Sequence, residues 1–400
     1  MRLQSNRSPT ERMNPLAMKS VNAIGLLELV RQHGRISRST LATVSRLSKP
    51  TVSDQIDSLL GRGLVLEVGA GKSSAKGGKR PTMLEFNADF GRILCVDVGA
   101  ESTGFASADI VGKVRRTLRL PTRPERGARS VLKTIRRGIA ELIGSDPQAE
   151  GLRMISIAVP GIVDVRNGVV LETDNVFGWR NLALASELTG AFSLPVHVDN
   201  DVNMAAIAEL KSGGNEGPRN FVLLRLDTGI GAGVVLGGAI HHGAHWAAGE
   251  IGHMVLNTPA AAGPASPRGY LESIVGADRI YERIRRAIPN IGVDKWAALE
   301  ACSQSRRPPL LRTFDDFTLH LGSAVANVAA MYDPEAVILL GKPFPMLLGK
   351  ITEVTRRLIP WPLEIRLSSL GEDASLQGAL AAGLTLTYEK IAFSLQSQAV

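Results

Sequence analysis

Lys49, Thr51, Ser53, Asp54 and Gln55 fall within one short stretch, LSKPTVSDQIDSLLGRG, and carry the chemistry needed to read a DNA groove. Gln can pair with adenine, Lys with guanine or phosphate, and Ser or Thr with phosphate or base. Ser48 suits a helix N-cap there, Pro50 is tolerated in the first turn, and Gly61-Arg62-Gly63 stops the helix. Arg38, one short segment upstream, adds a further cation for the same task. A second set, Lys72, Lys76, Lys79 and Arg80, lies in GAGKSSAKGGKR, a Gly-rich basic loop able to meet backbone phosphate or the minor groove. Charge distribution agrees. Residues 1–90 hold 14 Lys and Arg against 7 Asp and Glu, whereas the remaining chain holds 32 against 31, so the excess of the +8 chain sits in its first quarter. A polyanion is the partner such a segment suits, because neutralised phosphates release condensed counterions. A basic surface kept for solubility would carry the same charge, so pattern must decide.

The elements that would position these side chains are legible. Val21, Ile24, Leu27 and Val30 recur at helical spacing and predict a first helix ending near Gly34. Ser37 can cap a second helix over SRSTLATV, SRLS makes a tight turn, and the third helix would bury Val52, Ile56, Leu59 and Leu60. Two short helices joined by about four residues form a helix-turn-helix, whose second helix enters the major groove. LVLEV and PTMLEF read as strands flanking the basic loop, which makes it a wing. Residues 1–90 are therefore expected to be a winged helix-turn-helix, with a small helical interaction module as the plainer alternative.

At 400 residues the chain is long enough for two or three cores, and 44% hydrophobic against 21% charged residues excludes a disordered or collagen-like chain. No apolar stretch approaches the roughly 18 residues that span a bilayer. The opening MRLQSNRSPTERMNP lacks the apolar core of a secretory signal, so a cytoplasmic protein is expected. Cys95 and Cys302 stand far apart without CxxC spacing, which indicates neither a disulfide framework nor a cysteine metal site.

From Gly91 onward the pattern is α/β. ILCVDVG reads as a buried strand, FASADIVGKV as the return strand of a hairpin, SVLKTIRRGIAELIG as an amphipathic helix and MISIAVPGIVD as another buried strand. FVLLRLDTGIGAGVVLGGAI repeats the scheme of strand, Gly-rich turn and strand. Two α/β lobes are expected, over 91–200 and 201–374, with a C-terminal helix over about 375–400 packing back on the first lobe. A cleft between such lobes is where a small ligand usually sits.

AVPGIVD, TDNVFGW, VDNDVNMAAIAE, TGIGAGVVLGG, AAGEIGH and DPEAVILLG occur in that order. With them, most of residues 91–390 resembles the ROK family (repressors, open reading frames and sugar kinases). LSKPTVSDQIDSLLGRGLV and GGKRP likewise resemble the winged-helix domain of that family's transcriptional repressors. The resemblance implies a two-lobed actin-like ATPase (ribonuclease H-like) fold behind the winged helix. It also assigns roles: Asp201 matches the family's catalytic base for the sugar hydroxyl, and Asn200, Glu250, His253 and Glu272 match sugar-binding positions. Gly161 and Thr173 match positions that contact sugar in some relatives. Carboxylates and an imidazole suit vicinal hydroxyls, which they bind as acceptors and donors.

The nucleotide side departs from the family. Its kinases share an Asp-hydrophobic-Gly-Gly-Thr turn, where this chain has Asp97-Val98-Gly99-Ala100-Glu101. Ala100 adds a Cβ where backbone should approach phosphate, and a Glu101 carboxylate about 4 Å from a phosphate charge would repel it by around 4 kcal/mol. The second turn keeps Thr228 and Gly229 but has Asp227 and Ala232 where glycine is usual, and Leu340-Gly341-Lys342 departs from the adenosine loop. Zinc in many relatives is held by the histidine of the GH pair and three cysteines. Gly263, Ala265 and Tyr270 stand at the cysteine positions here, so neither zinc nor any other cofactor is expected.

The sequence thus reads as a sugar-responsive regulator with Asp201 a vestigial base. Its expected partners are a double-stranded DNA operator, a sugar or sugar-derivative effector and a second copy in a homodimer or homotetramer, with no membrane. The alternative is an ATP-dependent sugar kinase with a basic head, and a third possibility is a non-catalytic interaction protein.

Overall fold

The computed structural model describes residues 15–71, 80–145, 151–173, 176, 178–214, 216–256, 269–288 and 295–397. They fall into two units. One comprises Met1–Arg92, Asp109–Val111 and Leu384–Val400, the other Ile93–Ala108 and Gly112–Gly383.

The N-terminal unit opens with α1 (Pro15–His33), β1 (Ile36–Ser37), α2 (Arg38–Ser45) and α3 (Lys49–Gly61), followed by β2 (Val65–Ala70) and β3 (Thr82–Phe86). Both expected caps are made: the Thr40 amide donates to Ser37 Oγ at 3.1 Å and the Thr51 amide to Ser48 Oγ at 3.2 Å. The strands form an antiparallel sheet in the order β1-β3-β2, with Ile36 opposite Leu84 and Val65 opposite Phe86. β1 has only two residues, too few to show an alternating pattern in the sequence. Leu26, Val30, Leu41, Val52, Ile56, Leu59 and Leu84 fill the core. Val21, expected on the buried stripe of α1, is instead exposed, and Ala23, Leu26 and Leu27 face inward. Ile110, Ile391 and Leu395, from distant parts of the chain, belong to the same core. Tyr388 seals it from the side: its hydroxyl donates to the Ile110 carbonyl, and the Arg31 guanidinium lies 4.9 Å over its ring.

The second unit holds two lobes. The first consists of β4 (Arg92–Val98), β5 (Ser102–Asp109), β6 (Val114–Pro121), α4 (Ala128–Ser145), β7 (Leu152–Val159), β8 (Ile162–Asp164), β9 (Val169–Glu172), β10 (Arg180–Leu182), α5 (Leu184–Phe192) and β11 (Val196–Asn200). FASADIVGKV is not one return strand, because a turn after Asp109 divides it between β5 and β6. The second lobe runs through α6 (Asp201–Ser212), β12 (Phe221–Leu226), β13 (Ile230–Leu236), β14 (Ala239–Ile240), α7 (Tyr270–Val275), α8 (Ala277–Ala287) and α9 (Lys295–Ser303). It continues with α10 (Pro308–Tyr332), β15 (Ala336–Leu340), α11 (Phe344–Leu358), β16 (Glu364–Leu367) and α12 (Ala374–Ser397).

The sheet orders β11-β7-β4-β5-β6 and β14-β13-β12-β15-β16 are the same plan. In each lobe the first strand is central, its hairpin partners extend to one side and the two later strands to the other. The repeated strand, turn, strand motif of the sequence is thus a duplicated lobe. β15, Ala-Val-Ile-Leu-Leu, is buried along its whole length, as an inner strand covered on both faces must be. The C-terminal helix divides its packing. Gly378 lies against the backbone of α6, and Gly383 lies against Ile93 and Ser156 of the first lobe. From Leu384 onward, however, the helix belongs to the N-terminal unit and lends Ile391 and Leu395 to its core.

Candidate functional site

Two sites emerge, one in each unit. In the N-terminal unit, α2 ends at Ser45 with Arg46 in the left-handed region (φ 59°), which turns the chain into α3. Lys49, Thr51, Ser53 and Asp54 stand in the first two turns of α3, the helix expected to enter the groove, with Lys49 and Asp54 exposed and Thr51 and Ser53 half-buried. Gln55 is not available to a base. It is 4% exposed, because Val52, Gln55, Ile56 and Leu59 share the spacing of one helix face, and that face is the packed one. Arg38 is committed as well: its guanidinium lies 2.7 Å from Asp57 and 3.2 Å from Glu67, tying α2 to α3 and β2. Arg80 is exposed, while Lys72, Lys76 and Lys79 lie outside the described residues. Arg46 is a cation that sequence reading passed over; it is exposed between the two helices and is a candidate phosphate contact.

In the second unit four of the expected sugar residues, Asn200, Asp201, Gly161 and Thr173, lie around the join of β11 and α6, and Glu250, His253 and Glu272 form a second group beside the second glycine turn. Asn200 is the N-cap of α6: its Oδ1 accepts from the Val202 and Asn203 amides at 2.8 and 3.1 Å. Its Nδ2 donates to the Gly161 carbonyl at 2.9 Å. Gly161 has φ 96°, and a Cβ there would collide with the Glu172 carbonyl and with Thr173, so this turn requires glycine. Asn200, Gly161 and Thr173 therefore form one contiguous patch. Asp199, buried beside them, accepts from the Asn200 amide at 2.6 Å and Asn203 Nδ2 at 3.1 Å, and its other oxygen lies 2.9 Å from His242 Nε2. Glu250 and the exposed His253 share a short 3₁₀ turn at Ile251–His253. Glu272, at the start of α7, turns to the second glycine turn, where its Oε2 accepts from the Ile230 amide at 3.1 Å.

Where the resemblance puts the nucleotide, a residue that sequence reading missed dominates the charges. Arg225 on β12 has its Nη1 2.6 Å from Ser375 Oγ and 3.5 Å from Asp201 Oδ2, and its Nη2 3.7 Å from Asp227 Oδ2. Asp97 faces the same guanidinium. A charge inside the apolar run FVLLRL was the available signal. Burial raises the Asp201 carboxyl above its usual range, against the pull of Arg225. Burial likewise pushes Asp97 up to about 7, with Arg225 opposing and Asp201 reinforcing the shift. Lys342 is paired with Glu372 at 2.8 Å. The Gly99 amide closes its turn on the Ser102 carbonyl at 3.2 Å. Among the described residues no group of three or more His, Cys, Asp or Glu side chains is placed to hold a metal ion. Of the positions where the resemblance puts zinc ligands, Gly263 and Ala265 lie outside the described residues and Tyr270 opens α7.

A pH dependence follows. The folded chain binds the Asp97 proton more tightly than an unfolded chain, whose pKa is near 3.8, so this group costs stability progressively as pH rises from about 4 to about 7. Asp97→Asn should therefore be more stable than wild type by about 4 kcal/mol at pH 8 and nearly equal to it at pH 4. Urea unfolding at the two pH values checks this, and a gain that is the same at both would refute the titration.

Residues 93–385 match the model of the ROK family, and residues 20–66 match that of the MarR family. The chain is 29% identical over 370 residues to the xylose repressor of Bacillus spizizenii, covering 90% of this chain and 94% of that protein. It is 24% identical over 351 residues to the DNA-binding transcriptional dual regulator NagC of Escherichia coli, covering 86% and 84%. Among solved structures, a ROK family transcriptional regulator homologous to the E. coli MLC protein superposes with a TM-score of 0.76 over 96% of this chain and 100% of that one. At 23% identity this is a likeness of fold. The architecture is a winged helix-turn-helix followed by a two-lobed actin-like domain, and with the family match running through both lobes, this chain belongs to the ROK family.

Proposed function

We propose that this chain is a sugar-responsive DNA-binding regulator, a repressor of carbohydrate genes, whose kinase-like domain binds a sugar without transferring phosphate. The observation that carries the reading is the joining of a MarR-like head to a ROK domain over the same span as the xylose repressor and NagC relatives. Loss of phosphoryl transfer is supported by Arg225, which occupies the neighbourhood of Asp201 and Asp97 with a fixed cation, and by Ala100 and Glu101 in the first turn. Neither feature fits a nucleotide-bound metal beside a working base. Zinc is left out of the reading, since Gly263, Ala265 and Tyr270 supply no thiolate. Linkage provides the mechanism: a sugar that prefers one arrangement of the lobes shifts the equilibrium of the DNA-binding state. A two-fold dimer on a pseudo-palindromic operator fits the helix-turn-helix geometry.

Gel shifts on DNA upstream of the chain's own and adjacent genes test the reading, with D-xylose, D-glucose and N-acetylglucosamine added in turn. One sugar is expected to change operator affinity. Lys49→Ala should weaken binding roughly tenfold and lower the slope of log affinity against log salt by about one, if Lys49 meets phosphate. A complex indifferent to DNA sequence and salt would overturn the reading, as would turnover of ATP with any of these sugars at ordinary kinase rates.

A further inference from the structure

Trp246 has φ 64°, in the left-handed region that bulky side chains rarely enter. It lies in HHGAHWAAGE, a loop otherwise built of small residues and histidines, four positions before Glu250. Strained backbone of this kind persists only where surrounding contacts over-determine it, and it concentrates at ligand clamps. Two neighbours hold the indole. The His242 ring meets it edge-on, with centroids 5.6 Å apart and planes at 63°, and the Arg166 guanidinium lies 5.9 Å from its centroid. Arg166 comes from the turn between β8 and β9, in the small sheet that carries Gly161 and Thr173 close by. His242 is bonded to Asp199, whose other oxygen receives the Asn200 amide. The indole is therefore linked to Asn200 by three contacts, through His242 and Asp199, beside the patch where the sugar is expected, and it remains half-buried rather than packed into the core.

We propose that Trp246 is the stacking platform for the ring of a cyclic sugar, an inference that rests on the sugar-binding reading above. A pyranose carries hydroxyls around its edge and C–H groups on its faces. Asn200, Glu250, Asp201 and His253 answer the edge, but none offers an apolar surface to the face. Small-molecule sites combine a few polar groups with a larger apolar lining, and a rigid indole supplies that area at little entropic cost. The recognised class is a ring sugar of the xylose and glucose type; an open-chain polyol has the hydroxyls without the face.

Titration of the full chain with D-xylose, D-glucose, N-acetylglucosamine and xylitol, followed by calorimetry and by indole emission, tests the platform. At least one ring sugar should bind, and xylitol should not. Trp246→Ala should weaken that binding roughly tenfold or more, and Trp246→Phe should retain most of it. The sugar-induced emission change should vanish in Trp246→Phe although Trp179, Trp296 and Trp361 remain. Trp246→Gly relieves the backbone, so its melting temperature should match or exceed that of wild type while binding is lost, which separates a platform from a folding residue. Glu250→Ala marks the polar half of the site. If Glu250→Ala loses the sugar and Trp246→Ala keeps it, the platform alone is overturned. If no ring sugar binds the wild-type chain, both the platform and the sugar-binding reading fall.

Discussion

Replacing Arg225 by methionine should destabilise the chain by about 4 kcal/mol at pH 8. The Arg225 side chain is 18% exposed, and Met is close enough in length to leave little void, so the loss is one of charge. What remains is Asp97, Asp201 and Asp227 around an apolar side chain, together with a Ser375 hydroxyl that has lost the guanidinium but still donates to the Asp201 carbonyl at 2.8 Å. Removing one partner of a buried ion pair leaves an uncompensated charge, which costs far more than the pair itself contributes. The pH dependence identifies the cause. Because burial pushes Asp97 up to about 7, this group can take up a proton in mildly acidic solution, and the penalty should shrink toward pH 5; burial shifts Asp201 in the same direction. Adding Asp97→Asn should recover part of the loss at pH 8, since the two sites share one electrostatic network. Urea unfolding of the single and double variants checks both points. A penalty equal at pH 5 and pH 8, unmoved by Asp97→Asn, would mean that Arg225 acts through packing.

Gly378→Ala should cost about 3 kcal/mol or more. Here α12 passes so close to α6 that a Cβ on residue 378 would fall on the Met204 carbonyl, a backbone atom that cannot swing aside. Accommodation requires the two helices to separate. Since α6 begins at Asp201 and is capped by Asn200, the sugar response should weaken along with stability. Gly349→Ala in α11 is the control. Among the described residues nothing beyond its chain neighbours and the helix's own backbone stands within 4 Å of its Cβ position, so the same change should stabilise that helix by about 0.5–1 kcal/mol. Thermal unfolding of the two variants compares them directly, and similar midpoints would refute the close approach.

Much of this was legible beforehand. Ser37 and Ser48 announced their helices because a capping hydroxyl is a local signal, and the doubled strand and glycine-turn motif announced two lobes. Where the reading faltered, longer-range packing had decided. Gln55 looked like a base reader by chemistry, yet its position three residues after Val52 and four before Leu59 already placed it on the inward face. Val21 matched the period of α1, but the stripe that meets the sheet runs through Ala23, Leu26, Leu27 and Val30. Asn200 was recognised by type, whereas its work as cap and as tether to Gly161 depends on a carbonyl 39 positions away in the chain. Arg225 and His242 were passed over for the same reason: each is defined by acidic partners that only the folded chain assembles.

Ile391 and Leu395 close the core that α1, α2 and α3 begin, and Tyr388 locks onto Ile110 under the Arg31 guanidinium. A fragment cut after residue 90 would thus carry α1, α2, α3 and their small sheet and still have a hole in its interior. Transplanting this reader onto another sensor requires grafting both ends of the polypeptide, and a tag or deletion at the carboxyl end is an operation on the DNA-facing half of the molecule.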